Sequence, residues 1–149
     1  MGGCRIIAKD TFDQDRIISL INKSFPTVSI VDRRVKPSFG YRAVHLIIKT
    51  NQKLIEVQVR TILQHNWAEF SEKLSDKIDP LIKYGGGETE IQDLLVGLSE
   101  HFAAYEALEI ELNKASNNTD ESQKPTVQKL KAKMEKLKIE MVAMTKAQF

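Results

Sequence analysis

The sequence predicts an α+β protein: a mostly antiparallel mixed sheet, helices packed on it, and a helical C-terminal extension. Three observations predict it. Strand-like runs cluster before Ile62: Cys4–Ala8, Thr27–Arg34 and two more between Gly40 and Thr61. The last two alternate apolar and polar residues on either side of Asn51-Gln52, as a hairpin does. From Ile62 onward, apolar residues instead recur at spacings of three and four. Strands first and helices after is the order of an α+β fold.

Taken in order, Cys4–Ala8 reads as a strand already under way at the first residues, which leads us to expect further chain upstream. Thr11 and Gln14 have capping-box spacing, and Ile17, Ile18, Leu20 and Ile21 give a helical stripe over about Asp13–Ser24 that Pro26 ends. Thr27–Arg34 alternates as a strand, Lys36–Gly40 is a loop, and the hairpin follows. Leu63, Trp67, Phe70 and Leu74 mark a helix from Ile62 to about Lys77, broken by Pro80 and the turn Tyr84-Gly85-Gly86-Gly87. A second helix runs from about Glu90 to Lys114, and a polar stretch follows it. A last helix from about Pro125 to Ala147 carries Val127, Leu130, Met134, Leu137, Met141 and Met144 on one stripe. The expected partition is a core over 1–83, a helical extension over 84–114, a linker over 115–124 and an amphipathic helix over 125–149.

Composition narrows the function classes. The 149 residues suit one domain, and 42% hydrophobic with 28% charged residues is ordinary for a globular protein that buries a core. A balance of 22 basic to 20 acidic residues gives no general attraction to nucleic acid or membrane, so any basic site is local. The lysines of the last helix are interrupted by Glu135 and Glu140 and read as a solvated face, while its apolar stripe suits packing on the domain or on a second subunit in a homo-oligomer. The single cysteine, Cys4, permits no disulfide within the chain, which points to a reducing, cytoplasmic setting, and we expect it buried in its strand. No apolar run approaches the roughly 20 residues that span a bilayer, and Ile6 stands where a myristoylation motif has Ser or Thr.

The hairpin carries the chemistry. Folded at Asn51-Gln52, it sets His45 opposite Gln58, Ile47 opposite Glu56 and Ala43 opposite Arg60. One face then holds Val44, Leu46, Ile48, Ile55, Val57 and Val59, with Arg42 near its rim; the other holds Tyr41, Ala43, His45, Ile47, Glu56, Gln58 and Arg60. Apolar walls with a few convergent polar groups make a ligand groove. The set suits phosphate handling. Glu56 can hold Mg²⁺ or accept a hydroxyl proton, Arg60, Arg42 and Arg5 can neutralise phosphates, and the Tyr41 ring can stack on a base. No Gly-Lys-Ser/Thr phosphate loop occurs, and no Cys/His spacing suits a structural zinc.

The motifs "GYRAVHLII", "IEVQVRT" and "NWAEFSEKLSDK", in this order, resemble the synthetase domain of the RelA/SpoT family, and "GGCRIIA" resembles the end of that family's Asp-x-x-Gly-x-Arg strand. The resemblance covers about Gly2 to Lys77. It implies a nucleotidyltransferase-like fold and a GTP pyrophosphokinase of the stringent response, moving pyrophosphate from ATP to the 3′-OH of GTP or GDP with Mg²⁺ to give (p)ppGpp. It further implies that Tyr41 stacks on guanine and that Glu56 binds Mg²⁺ and activates the acceptor hydroxyl. By the same resemblance Lys36, Arg42 and His45 line the acceptor phosphates, Gln58 and Arg60 complete the strand motif, His65 lies near guanine, Arg5 stands on the ATP side, and Trp67 is structural.

Two departures stand out. The family's second metal-binding carboxylate would lie one position before Met1, with the basic ATP-gripping segment upstream of it, and Glu72 stands where many members have His. The expectation is therefore a chain carrying mainly the acceptor half, truncated on the donor side. A catalytically silent guanine-nucleotide binder or oligomerisation module is one alternative. A tRNA 3′-end pyrophosphokinase of the same family is another, for which the lysine-bearing last helix is the only basic candidate.

Overall fold

The computed structural model describes residues 1–118 and 120–147. Thr119 of the expected linker and Gln148 and Phe149 of the expected C-terminal segment lie outside the described residues. The elements are β1 (Gly2–Ala8), α1 (Thr11–Ser24), β2 (Thr27–Asp32), β3 (Val44–Thr50), β4 (Lys53–Thr61), α2 (Ile62–Lys77), α3 (Thr89–Ser116) and α4 (Lys124–Lys146), with short 3₁₀ turns at Ile82–Tyr84 and Glu121–Gln123. The chain is α+β, as its sequence predicts.

The sheet has the order β1-β4-β3-β2. β2, β3 and β4 are antiparallel neighbours, and β1 lies parallel to β4 at the edge. The β3–β4 hairpin closes on Asn51 and Gln52, whose φ values of 45° and 64° are those of a tight primed turn matched to strand twist. That turn fixes the register, with His45 on Gln58 and Ile47 on Glu56. The ladder ends at Val44 on Val59, so Ala43 and Arg60 lie just beyond it.

The apolar face of the hairpin is the core. Val44, Leu46, Ile48, Val57 and Val59 are buried there, and Ile17, Ile18 and Ile21 of α1 pack against them with Ile6 and Ile55. α1 starts one residue earlier than a Thr11 cap would place it: the Asp10 carboxylate accepts the Asp13 N–H at 2.8 Å. Asp binds an orphan helix amide better than Thr does, which explains the difference. Cys4, expected to be buried, is exposed. It sits on the edge strand, and the apolar cluster on that strand reaches Ile6 but not Cys4.

α2 leaves β4 without a loop. Thr61 Oγ1 accepts the Gln64 N–H while Gln64 Oε1 accepts the Thr61 N–H, a reciprocal cap that turns strand directly into helix. Gln14 of α1, fully buried, donates through Nε2 to the Val59 carbonyl and to Gln64 Oε1, tying α1, β4 and α2 together.

The chain divides into two compact units, Met1–Ser99 and Glu100–Phe149. In the second, Leu130, Met134 and Met141 of α4 are buried, His101 Nε2 lies 3.2 Å from Glu140 Oε2, and the Lys138 ammonium lies 5.8 Å from the Tyr105 ring centre. Lys136 and Lys138 also pair with Glu140 and Glu135 along the helix. Among the described residues, no helix is long and apolar enough to cross a membrane.

Candidate functional site

The polar face of the hairpin closes into a ring of hydrogen bonds. Arg60 Nη2 donates to the Tyr41 hydroxyl at 3.0 Å and to Gln58 Oε1 at 3.1 Å. The Tyr41 hydroxyl lies 2.9 Å from His45 Nε2, and His45 Nδ1 lies 2.8 Å from Glu56 Oε1. Gln58 Nε2 completes the circuit by donating to Glu56 Oε2 at 3.3 Å.

The directions of the bonds at the two charged ends follow from their chemistry. An ionised carboxylate only accepts and a guanidinium only donates. His45 therefore presents Nδ1–H to Glu56, and the Gln58 amide accepts from Arg60 through Oε1 and donates to Glu56 through Nε2. The His45 hydrogen bond, aided by the one from Gln58, holds the Glu56 carboxyl below the usual carboxylate range against the opposing effect of partial burial.

The strands supply this arrangement by simple alternation. Glu56, Gln58 and Arg60 occupy every second position of β4 and so share one face, and His45 reaches them from β3 at the same level. Tyr41 arrives from the loop before β3, which is held at several points. Arg34 bonds to Asp32, Asp15 and Gln14, and Arg42 donates to the Arg34 carbonyl and to Ser99 Oγ. Gly40 has a φ of 89°, and a Cβ there would meet Trp67 Cζ2 at 2.7 Å, so this position requires glycine on both counts.

Beside the ring lies a cleft of about 170 Å³. Its strand side is Tyr41 and Arg60; its helix side is Trp67, Ala68, Ser71 and Glu72 of α2; Phe39, Ile82, Lys83 and Tyr84 close it from the loops. The Trp67 ring is 6.5 Å from that of Tyr41, and its indole N–H donates to the Leu95 carbonyl at 2.7 Å. The Arg60 guanidinium lies 5.0 Å from the Tyr41 ring centre. It is only 4% exposed, and among the described residues it pairs with no carboxylate and leaves Nε and Nη1 without hydrogen-bond partners.

Of the residues singled out from the sequence, Tyr41, His45, Glu56, Gln58 and Arg60 come together in the ring. Arg5 is the register partner of Gln58 on β1, so it shares that face, but it is exposed and outside the ring. Lys36 is exposed in the loop and also outside it. The Arg42 guanidinium is engaged in tying the loop down. His65 pairs loosely with Glu69 at 4.0 Å and does not line the cleft. The sequence reading missed Phe39, Ser71, Lys83 and Tyr84 as cleft walls and assigned nothing to Glu72. The only local signal was the helical spacing of Trp67, Ala68, Ser71 and Glu72, which places them on neighbouring stripes of α2.

Glu56 offers the hard oxygen donor that Mg²⁺ takes, and one carboxylate with substrate phosphates and waters is a usual way of holding that ion. Among the described residues, no group of three or more His, Cys, Asp or Glu side chains forms a metal cage. The donor set thus fits an ion shared with a bound polyphosphate.

Comparison with known proteins bears on this site. Residues 1–79 match the family described as "Region found in RelA / SpoT proteins". An uncharacterized protein of Mycobacterium tuberculosis is 45% identical over 56 residues, covering 38% of this chain and 20% of the relative. Among solved structures, small alarmone synthetase 2 from Bacillus subtilis superposes with a TM-score of 0.63 at 24% identity over 75% of this chain and 64% of that one. Small alarmone synthetase 1 from the same organism, bound to its product pppGpp, gives 0.60 at 23% identity over 75% and 61%. The chain therefore spans about one fifth of the length of the curated relative and under two thirds of these two structures.

Proposed function

The chain belongs to the RelA/SpoT family, and on that footing we propose that the polar face of its hairpin is the acceptor groove of an alarmone synthetase, taking GTP or GDP. The observation that carries this reading is the ring from Arg60 to Glu56 beside an aromatic-lined cleft. It gathers a ring to stack on, cationic groups and one ionised carboxylate. A structure sharing the fold that holds pppGpp as its product supports the choice of ligand.

In the proposed reaction the 3′ oxygen of the acceptor forms a bond to the β-phosphorus of ATP. The bond from that phosphorus to the oxygen bridging the α-phosphate breaks, AMP leaves, and the hydroxyl proton is released. Tyr41 orients the base, and Arg60 holds the Tyr41 hydroxyl in place. His45, bonded on both sides, fixes the Glu56 carboxylate. The efficiency of a general base rises as its pKa approaches the working pH. A carboxyl held below the usual range is a weak base, so the local environment of Glu56 favours holding a cation over abstracting a proton. Mg²⁺ bound there would gather polyphosphate oxygens and neutralise their charge. Arg5, on the same face beside Gln58, is the group of this chain nearest in register for the ATP side. A cytoplasmic setting, and homo-oligomers formed through α4, belong to the same proposal.

A second reading is favoured by one observation: Glu56 is the only carboxylate in the ring. The chain then binds guanine nucleotide without turning it over. One experiment separates the two. The protein is incubated with ATP, GDP and Mg²⁺, products are resolved by chromatography, and GDP binding is measured by calorimetry in parallel. Guanosine tetraphosphate formation supports the synthetase; binding without product supports the silent module; absence of GDP binding removes both.

A further inference from the structure

Tyr41 ends a turn that its backbone does not favour. Ser38 and Tyr41 exchange both backbone hydrogen bonds, at 3.2 and 2.9 Å, around Phe39 and Gly40. Those two residues have φ values of 52° and 89°, as in a primed turn. A left-handed phenylalanine is strained, and such a conformation persists only where its surroundings hold it. The hold comes from α3. Ser99, 2% exposed, donates its hydroxyl to the Gly40 carbonyl at 2.5 Å and accepts the Arg42 Nε–H at 2.9 Å. One oxygen thus fastens the residue before Tyr41 and the residue after it. One turn earlier on α3, the Leu95 carbonyl accepts the Trp67 indole N–H, which sets the helix against the same turn.

We infer that Ser99 is a positioning residue of the nucleotide site, holding the Phe39-Gly40 turn in the conformation that presents Tyr41 to the groove. It lies beyond residues 1–79, the segment that matches the family. The inference rests on Tyr41 contacting a guanine nucleotide and adds the group that keeps Tyr41 in place. Without the hydroxyl, the Gly40 carbonyl loses this donor and the Arg42 Nε–H loses this acceptor. The turn then relaxes into a mixture of conformations, and only the fraction with Tyr41 in place binds. Apparent affinity falls by that fraction.

The test is Ser99→Ala in the full chain, alone and combined with Tyr41→Ala, read by calorimetry with GDP and by amide hydrogen exchange. Alanine is a good helix former, so circular dichroism should show an unchanged fold. Ser99→Cys, which keeps the shape but offers only a weak donor, should move both readouts the same way by less. Ser99→Ala is expected to weaken GDP binding roughly fivefold or more, and to cost nothing further once Tyr41 is alanine, because a residue acting through another loses its effect with it. The Tyr41 amide, bonded to the Ser38 carbonyl, should gain roughly fivefold or more in exchange rate over the amides of β3. Unchanged GDP affinity in Ser99→Ala, or an equal further loss in the Tyr41→Ala background, overturns the positioning role and leaves the nucleotide site standing. No GDP binding by the wild type overturns the nucleotide reading, whereas a uniform acceleration of turn and strand amides overturns the hold of Ser99 on the turn.

Discussion

Arg60 and Glu56, four positions apart on one face of β4, are joined by two arms of hydrogen bonds and by no direct ion pair. One arm runs through Tyr41 and His45, the other through Gln58. The opposite charges at the two ends are held apart by the polar side chains between them. The separation leaves the carboxylate free to meet a cation, while the guanidinium stays buried behind Tyr41 and Gln58.

Glu56→Gln keeps the shape of the ring and removes its negative end. Guanosine tetraphosphate formation should fall by about 10²-fold or more, since the charge stabilisation supplied by a metal ion held at this carboxylate is worth several kcal/mol. Circular dichroism should show an unchanged fold. Full activity in the variant would strip Glu56 of its assigned role.

The low position of the Glu56 carboxyl has a consequence for stability. When a folded-state carboxyl titrates lower than its unfolded counterpart, the unfolded chain binds more protons between the two values. The stabilisation is therefore complete above the ordinary glutamate range of roughly pH 4–5 and fades as pH falls through the lower folded value. Urea unfolding of wild type and Glu56→Gln should show a gap at neutral pH that closes on acidification. A gap that stays constant with pH contradicts this account.

Tyr41→Phe and Tyr41→Ala separate two roles of one side chain. The phenylalanine keeps the ring but deprives Arg60 and His45 of the hydroxyl between them. It should cost about 1–2 kcal/mol of stability with GDP binding largely kept. The alanine removes the stacking surface, worth about 1–3 kcal/mol per base, so GDP affinity should drop roughly tenfold. Denaturant titration and calorimetry read the two effects independently.

Gly40→Ala is expected to damage the site from behind. The added Cβ would press on Trp67 Cζ2 at 2.7 Å, and the φ of 89° disfavours any side chain. A loss of about 2 kcal/mol or more and a lower Tm should follow. An unchanged Tm would show that Trp67 can move aside.

Gln14→Leu tests the joint between α1, β4 and α2. It removes the side-chain donor to the buried Val59 carbonyl and one of the donors to Gln64 Oε1, which keeps the Thr61 N–H, and should cost about 1–3 kcal/mol. Thermal unfolding measures it, and a Tm equal to that of wild type would mean the joint contributes nothing.

The sequence by itself determined the hairpin and its two faces. Side chains in a strand alternate with a period of two, so once Asn51-Gln52 closes the turn, the partnership of His45 with Gln58 and Glu56 with Ile47 admits no other face assignment. The helices were legible for the same kind of reason, since their apolar stripes are local. Tertiary structure decided what long-range contacts decide. It set β1 parallel beside β4, turned Arg42 toward Ser99, and brought α2 and the Ile82–Tyr84 turn against Arg60 to form the cleft. Those pairings join residues far apart in the chain, where no periodicity records them. For the same reason Glu72 reads from its own neighbours as an ordinary solvated helix residue, and only the packing of α2 beside the hairpin sets it across the cleft from Arg60.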